Sequence, residues 1–228
     1  MEPKLSRAQS RAIQIDEIKK AARAQLVAKG VSGVSLREIA RDLGLVSSAL
    51  YRYYATRDEL LTALILDAYN ELGDFVERAN ASFVRDDTLG RWRASCFAIL
   101  HWAKAHPQEY ALLYGTPLLD YQAPDQTIAP ASRVPLVLGE IIGDAHRQHP
   151  SSAITSGHED VTSWLNVSNL SQALPGVPSS YYLRALMAWT EIFGFLNFEL
   201  FGHFKGSIVD YERAFTYVVE ELAVFVLR

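Results

Sequence analysis

Between residues 35 and 59 the chain carries three helix-start signals and one stop, spaced so closely that only short helices fit between them. Ser35-Leu36-Arg37-Glu38 is a capping box, in which the serine hydroxyl accepts from the backbone N–H three residues on and the glutamate reaches back to the serine N–H. Gly44 ends the helix it opens, whose inner face is Leu36, Ile39, Ala40 and Leu43. Ser47 is expected to cap the next helix, which runs to about Tyr54 and turns Leu50 and Tyr54 inward at i and i+4. Thr56-Arg57-Asp58-Glu59 is a second capping box. It opens a long helix, expected to reach about Phe83, with Leu60, Leu61, Leu64, Ile65, Ala68, Leu72 and Phe75 as its buried stripe. Two short helices joined across Gly44-Leu45-Val46 make a helix-turn-helix, the arrangement that presents its second helix to the DNA major groove. A plain structural hairpin is the competing reading of the spacing.

The outward face of the second helix favours the first reading. With Leu50 and Tyr54 turned in, it keeps Ser47, Ser48, Ala49, Tyr51, Arg52 and Tyr53, which are small or hydrogen-bonding and include one cation and no acid. A merely solvated face would mix both signs. Small residues let a helix approach the groove floor, and Ser47 and Ser48 can donate to base edges or phosphates. Arg52 suits a guanine edge or a phosphate, and Tyr51 and Tyr53 have hydroxyls at phosphate reach. Arg57, at the start of the next helix, adds charge where backbone amides already favour an anion. Ser35 and Arg37, at the start of the first helix of the pair, complete the expected DNA contacts. Charge supports this placement: residues 1–57 hold 11 Lys and Arg against 5 Asp and Glu, whereas residues 58–228 hold 11 against 21. A basic head therefore precedes an acidic body, and the net charge of −4 describes neither.

Helical spacing runs through the rest, and no alternating strand pattern interrupts it, so the chain reads as all-α. A first helix is expected from about Ser10 to Lys29 through Ile15, Ile18, Ala22 and Leu26, stopped by Gly30. Asp86, Asp87 and Thr88 offer starts for a helix that carries Trp92, Cys96, Phe97, Ile99, Leu100 and Trp102 to the stop at His106-Pro107. A short helix from Gln108 to Tyr114, a long proline-bearing loop from Thr116 to Ser132, a helix from Val134 to His149 and a linker from Pro150 to Gly157 follow. The charge-free run from Val161 to Leu183 is too rich in serine, asparagine and proline to span a bilayer and is expected as a loop or short helix. The N-terminus, with Glu2, Lys4, Arg7 and Arg11, has no apolar core for a signal peptide or anchor, and no membrane partner is expected.

Two last helices, Ser179 to about Phe204 and Val209 to Leu227, hold more apolar side chains than one protomer easily covers. Two copies packing this pair would form a four-helix interface, with Phe195, Phe198, Phe201, Phe215, Val219 and Leu222 as candidates. Enzyme chemistry finds little support. One cysteine, Cys96, sits in an apolar stretch and is expected to be inert packing. His146 and His149 beside Asp144 read as a helix end rather than a metal pair, and no phosphate loop, nucleophile elbow or HExxH is present. No metal and no cofactor are implied.

The run from Val34 to Ile65 closely resembles the DNA-binding region of the tetracycline-repressor (TetR) family of bacterial transcription regulators, and Ile18 to Gly30 resembles that family's first helix. The likeness covers roughly residues 12–66 and rests on Ala21-Ala22, Gly30, Ile39-Ala40, Gly44 and Leu50-Tyr51. Tyr53 stands where a histidine is frequent and Tyr54 where a phenylalanine is usual. The segment Met187 to Phe204 is similar to the Trp-x3-His-Gly segment of some C-terminal domains in the family, with Trp189 and Gly194 matching and Phe193 in place of the histidine. The resemblance implies a homodimer with an N-terminal three-helix DNA-binding domain, residues 1–57, connected by the long fourth helix, 58–83, to a helical domain, 58–228, that binds a small molecule and dimerises. It implies a cytoplasmic bacterial protein, nucleoid-associated when bound to a palindromic double-stranded operator. Its expected role is that of a repressor released by a small apolar or aromatic effector; an activator, or a sequestering protein that only retains the fold, are the alternatives. Family effector pockets lie among central helices that here bring His101, Trp102, Tyr110, Tyr114, Trp164 and Trp189 as candidates.

Overall fold

The computed structural model describes residues 6–115, 121–150, 171, 174, 177, 178 and 180–228. Among these the regular secondary structure is entirely helical: α1 Arg7–Lys29, α2 Leu36–Asp42, α3 Ser47–Leu50, α4 Arg57–Ala81, α5 Thr88–Ala105, α6 Pro107–Tyr114, α7 Ile128–Gln148, α8 Ser180–Leu200 and α9 Tyr211–Leu227. The expected all-α class is observed. Trp164 and the expected linker from Pro150 to Gly157 lie outside the described residues, Pro150 itself excepted, as does nearly all of the run from Val161 to Leu183 before Ser180.

The chain divides into two compact units. The first combines the chain up to Ala68 with Gln108–Thr127, and the second combines Tyr69–Pro107 with the chain from Ile128 on. The first unit thus continues past residue 57 into α4 and takes in a segment from the middle of the chain, an association no local signal announces.

In the first unit α1 starts earlier than its apolar spacing suggests, because Ser6 and Gln9 form a reciprocal capping box at 3.2 and 2.8 Å. Ile18, Ala22 and Leu26 of α1, Ile39 of α2, Leu50 of α3 and Leu60 and Leu61 of α4 are all fully buried and form one core. Phe75 departs from the expected α4 stripe: it is 40% exposed while Val76 is fully buried. The inward row is Leu61, Ile65, Ala68, Leu72 and Val76, and Phe75 stands one residue, about 100°, off it.

The second unit is built on α5, whose Trp92, Cys96, Ile99, Leu100 and Trp102 are buried, with α7, α8 and α9 packed around it. The Trp92 indole N–H donates to the Val219 carbonyl of α9 at 3.0 Å, joining residues 127 apart in sequence. α7 begins at Ile128, six residues before the position expected from the sequence. Pro130 falls in its first turn, where backbone N–H groups have no intrahelical acceptor, so the proline costs little there. Pro135 lies inside the helix and removes one backbone donor from it.

Candidate nucleic-acid interface and internal cavity

The recognition element begins with a pinned α2. Ser35 caps it, its hydroxyl accepting from Glu38 N at 3.5 Å. The other half of the expected capping box is not made: the Ser35 N–H donates instead to Gln25 Oε1 of α1 at 3.0 Å, and Glu38 pairs with Lys29 at 2.5 Å. Gln25 is buried, and its Nε2 reaches Asp42 Oδ2 at 3.2 Å, so one amide holds both ends of α2 against α1. Gly44 then turns the chain with φ +65°, in the left-handed region that favours glycine. Val46 precedes α3 as its N-cap and makes no side-chain cap bond, so Ser47 is the first helical residue rather than the cap. After Leu50 the chain continues as turns to Tyr53, and Leu50 and Tyr54 are buried as expected. Burial also pushes the Tyr54 phenol above its ordinary pKa.

What faces outward is the expected set. Arg37, Ser47, Ser48, Tyr51 and Arg52 are exposed, and Ser35, Ala49 and Tyr53 are half-buried or less accessible. Residues 43–57 contain no acid at all. Arg57 departs from the expectation of a phosphate contact: its Nε donates to the Val34 carbonyl at 3.1 Å and its Nη2 to the Val31 carbonyl at 2.6 Å, which ties the start of α4 to the turn between α1 and α2. Two features are not picked out by the sequence pattern. Val46, 71% exposed, presents an apolar side chain just before α3. Arg11 of α1 lies over the Tyr53 ring at 5.0 Å. The signal for Arg11 is its position on the basic, acid-free first turn and a half of α1.

The second unit holds a partly open cavity of about 90 Å³ lined from α5, α7 and α8. Its described walls are Trp92, Pro135, Leu138, Gly139, Ile142, Leu174, Ala185, Leu186 and Trp189. Among the sequence candidates, Trp189 lines it. His101 is exposed to solvent instead, and Trp102 is buried in the core, stacked on His106 at 5.3 Å. Tyr110 and Tyr114 belong to the first unit, where their rings meet at 5.3 Å. The cavity residues absent from the sequence candidates are mostly aliphatic or small, and sequence spacing does not separate such a wall from ordinary core.

Beside the cavity wall, α7 carries a buried ion cluster. Asp144 accepts from Arg91 at 2.6 Å and from Arg85 at 3.0 Å, and also pairs with Arg147. Burial alone would raise its carboxyl pKa; the hydrogen bonds from Arg91, Arg85 and Arg147 outweigh that and hold it below the ordinary value. This carboxylate is held by three arginines. Among the described residues no cluster of metal-ligating side chains is present, and no helix is long and apolar enough to cross a membrane. Burial likewise pushes the Cys96 thiol far up, consistent with inert packing.

The dimer candidates separate into two groups. Phe195, Phe215 and Val219 are buried in the protomer's own core, so the expectation that they face a second copy is corrected, and Leu222 is half-buried. Phe198 of α8 and Phe201 just after it are half-exposed, as are Met187 of α8 and Val224 of α9, Tyr217 of α9 is more so, and Gly194 is open.

Comparison with known proteins agrees with this division. Residues 18–64 match the model described as bacterial regulatory proteins, tetR family, and residues 92–222 match the model described as tetracyclin repressor-like, C-terminal domain. A helix-turn-helix type transcriptional regulator of Mycobacterium bovis is 34% identical over 196 residues, covering 82% of this chain and 80% of the relative. The crystal structure of the regulatory protein SCO4313 superposes with a TM-score of 0.77 at 32% identity, covering 96% of this chain and 98% of that one. The TetR family transcriptional regulator PfmR from Thermus thermophilus, with a TM-score of 0.59 at 16% identity over 92% of this chain and 96% of its own, shares the fold.

Proposed function

The chain belongs to the TetR family of bacterial transcription regulators, whose members are not enzymes, and from that premise we propose that it is a cytosolic repressor that binds a palindromic operator as a homodimer and is released by a small apolar or aromatic effector. The observation that carries the DNA half of this reading is the acid-free surface over residues 43–57, on which Ser47, Ser48, Tyr51 and Arg52 stand around a buried Leu50. Ser47 and Ser48 at the start of α3 meet base edges, Arg52 and Tyr51 meet bases or phosphates, and Arg37, Ala49 and Tyr53 complete the contact. Ser35 contributes while capping α2.

Support for the effector half is the apolar cavity of the second unit, walled by Trp92, Leu138, Ile142 and Trp189. The boundary between units falls within α4, after Ala68, so a helix that begins beside α3 ends in the unit with the cavity. The exposed apolar side chains on and just after α8 and on α9, Met187, Phe198, Phe201, Tyr217 and Val224, take a second copy about a two-fold axis. In the bound dimer two α3 helices sit about 34–36 Å apart, one turn of DNA, or a small multiple of it, and effector selects another spacing.

The test is fluorescence anisotropy of the purified protein against DNA flanking its own gene at several salt concentrations. Affinity is expected to fall steeply and log-linearly with salt. No binding to any fragment overturns the regulator reading in favour of a sequestering protein, and transcription that rises when the protein binds makes it an activator.

A further inference from the structure

The first turns of α1 stand outside the core of the first unit. Every residue from Arg7 to Ile13 is exposed, and the first fully buried residue of the helix is Ile18. Packing of an apolar face is what ordinarily stabilises a helix in a protein, and here there is none to pack. These turns are tied instead by the Ser6–Gln9 capping box and by Arg11, whose guanidinium lies over the Tyr53 ring at 5.0 Å.

The cations of α1 divide along its length. Lys19 and Arg23 share Asp67 of α4, each at 2.8 Å, Lys20 pairs with Asp16 at 2.8 Å, and Lys29 pairs with Glu38 at 2.5 Å. Arg7 and Arg11 remain. Neither makes an ion pair with any described residue, and residues 6–15 contain no acid. The two arginines are four residues apart, so they share one helix face, and like charges at that spacing repel each other. The free protein therefore carries a small electrostatic cost that an anion on this face relieves. The face is not remote from the recognition surface, because Arg11 rests on Tyr53, which directly follows Arg52 in sequence and lies in the stretch of residues 43–57 that has no acid.

We propose, granted the reading of this surface as the DNA contact, that Arg7 and Arg11 form a second, sequence-independent contact, pairing with backbone phosphates beside those that Tyr53 meets. α3 reads the bases, and the α1 arginines add affinity and fix register without discriminating among sequences. Arg11 keeps its place on the Tyr53 ring in the complex, since a guanidinium stacked by one face still has its edge donors free for a phosphate.

The test is the salt dependence of binding for the full-length protein and for Arg7→Gln, Arg11→Gln, the double variant and Arg11→Lys, on DNA flanking its own gene and on a random duplex of equal length. Each neutral variant is expected to lower the slope of log affinity on log salt by about 0.9, and the double variant by about twice that. The wild-type advantage over each single variant should accordingly shrink roughly threefold to fourfold between 50 and 200 mM salt. Both duplexes should be affected alike, Arg11→Lys should keep the wild-type slope, and melting temperatures should not change. Ethylation interference is expected to show phosphates that matter to the wild type and not to the double variant. Arg7 touches no described ring, so Arg7→Gln keeps the test decisive if Arg11→Gln disturbs the fold. A double variant with the wild-type slope overturns the proposal, as does a loss confined to one duplex with the slope intact, which would make Arg11 a support for Tyr53 alone. DNA binding by the wild type with no change in the double variant sinks this proposal and leaves the regulator reading standing, whereas a wild type that binds neither duplex sinks both.

Discussion

The arginines around α3 and those around Asp144 are the same residue put to opposite uses. Arg37 and Arg52 are exposed and make no ion pair with any described residue, and Arg52 stands in a stretch with no acid between residues 43 and 57. Arg91 is buried, and its guanidinium is filled by Asn80 Oδ1, the Arg85 carbonyl and Asp144. Arg133 is likewise held by Glu77 and Asp74, and its hydrogen bonds to those carboxylates raise its pKa. An arginine with every donor satisfied inside the fold is structure, whereas one left in water with no counter-charge is available to a phosphate. The difference lies in the acids nearby, not in the arginines, and it predicts which substitutions damage folding and which damage binding.

The largest effect is expected at Asp144→Asn. Asp144 and Arg91 have side chains only 5% and 4% exposed, so neutralising the acid leaves the buried Arg91 with only the more distant Glu140, at 3.9 Å, as counter-charge. Breaking a buried pair from one side costs about 3–5 kcal/mol, which urea denaturation would register as a lower midpoint with an unchanged slope. The pH dependence follows from the sign of the shift. The folded pKa of Asp144 lies below its unfolded value, so its contribution is complete above the ordinary carboxylate range and is lost as pH falls through the depressed folded value. Asp144→Asn should therefore flatten the acid limb of the stability curve, and an unaltered limb would show that the cluster is not the fold's acid-sensitive element.

Arg52→Ala should do the reverse. Stability is expected to stay within about 0.5 kcal/mol, as for an exposed surface position. DNA binding should weaken by about 1–3 kcal/mol, and if Arg52 meets a phosphate the slope of log affinity on log salt should fall by about 1. Arg57→Ala tests the middle of the comparison. Its guanidinium holds two carbonyls, so it should lose stability by about 1–2 kcal/mol, and lose DNA affinity only as far as α2 and α3 loosen. An Arg57→Ala protein with full stability and a lowered salt slope would return Arg57 to the phosphate-contacting set.

The two regions are also unequally legible in the sequence. Around α3 the information is local: a cap, a glycine and an i, i+4 pair lie within about 20 residues, and Leu50, Tyr54, Ile39 and Gly44 stand where that pattern puts them. Even there the partners of the caps are not local, because Gln25 takes the Ser35 N–H that Glu38 could have taken, and a choice between two acceptors of similar strength is made by packing. In the second unit the decisive contacts join distant positions. Arg91 meets Asp144 and Trp92 meets Val219, and no periodicity records such pairings. Phe215 and Val219 read as surplus apolar area because sequence counts the side chains without showing that α5 already covers them. Pro130 falls inside the expected loop and Pro135 just beyond it, yet the first lies in a turn that needs no donor and packing of Leu138 and Ile142 carries α7 through the second.

The smallest expected effects come from one glycine in each region, and their signs differ for a physical reason. Gly44 has φ +65°, and a Cβ there would meet no atom within 4 Å, so Gly44→Ala costs only the left-handed backbone, about 1 kcal/mol, and shows as lower thermal stability at any protein concentration. Gly194 lies within α8 at an ordinary helical φ and is just as open. In an isolated protomer Gly194→Ala should therefore stabilise by up to about 1 kcal/mol through helix propensity. If the face that runs through Met187, Gly194 and Phe198 packs on a second copy, however, the added methyl enters a close helix contact, and overpacking costs about 1–3 kcal/mol per site. Sedimentation and melting of Gly194→Ala across a wide range of concentration decide between these. A gain in stability at low concentration with weakened dimerisation at high concentration places the two-fold interface at Gly194, and a gain independent of concentration places it elsewhere.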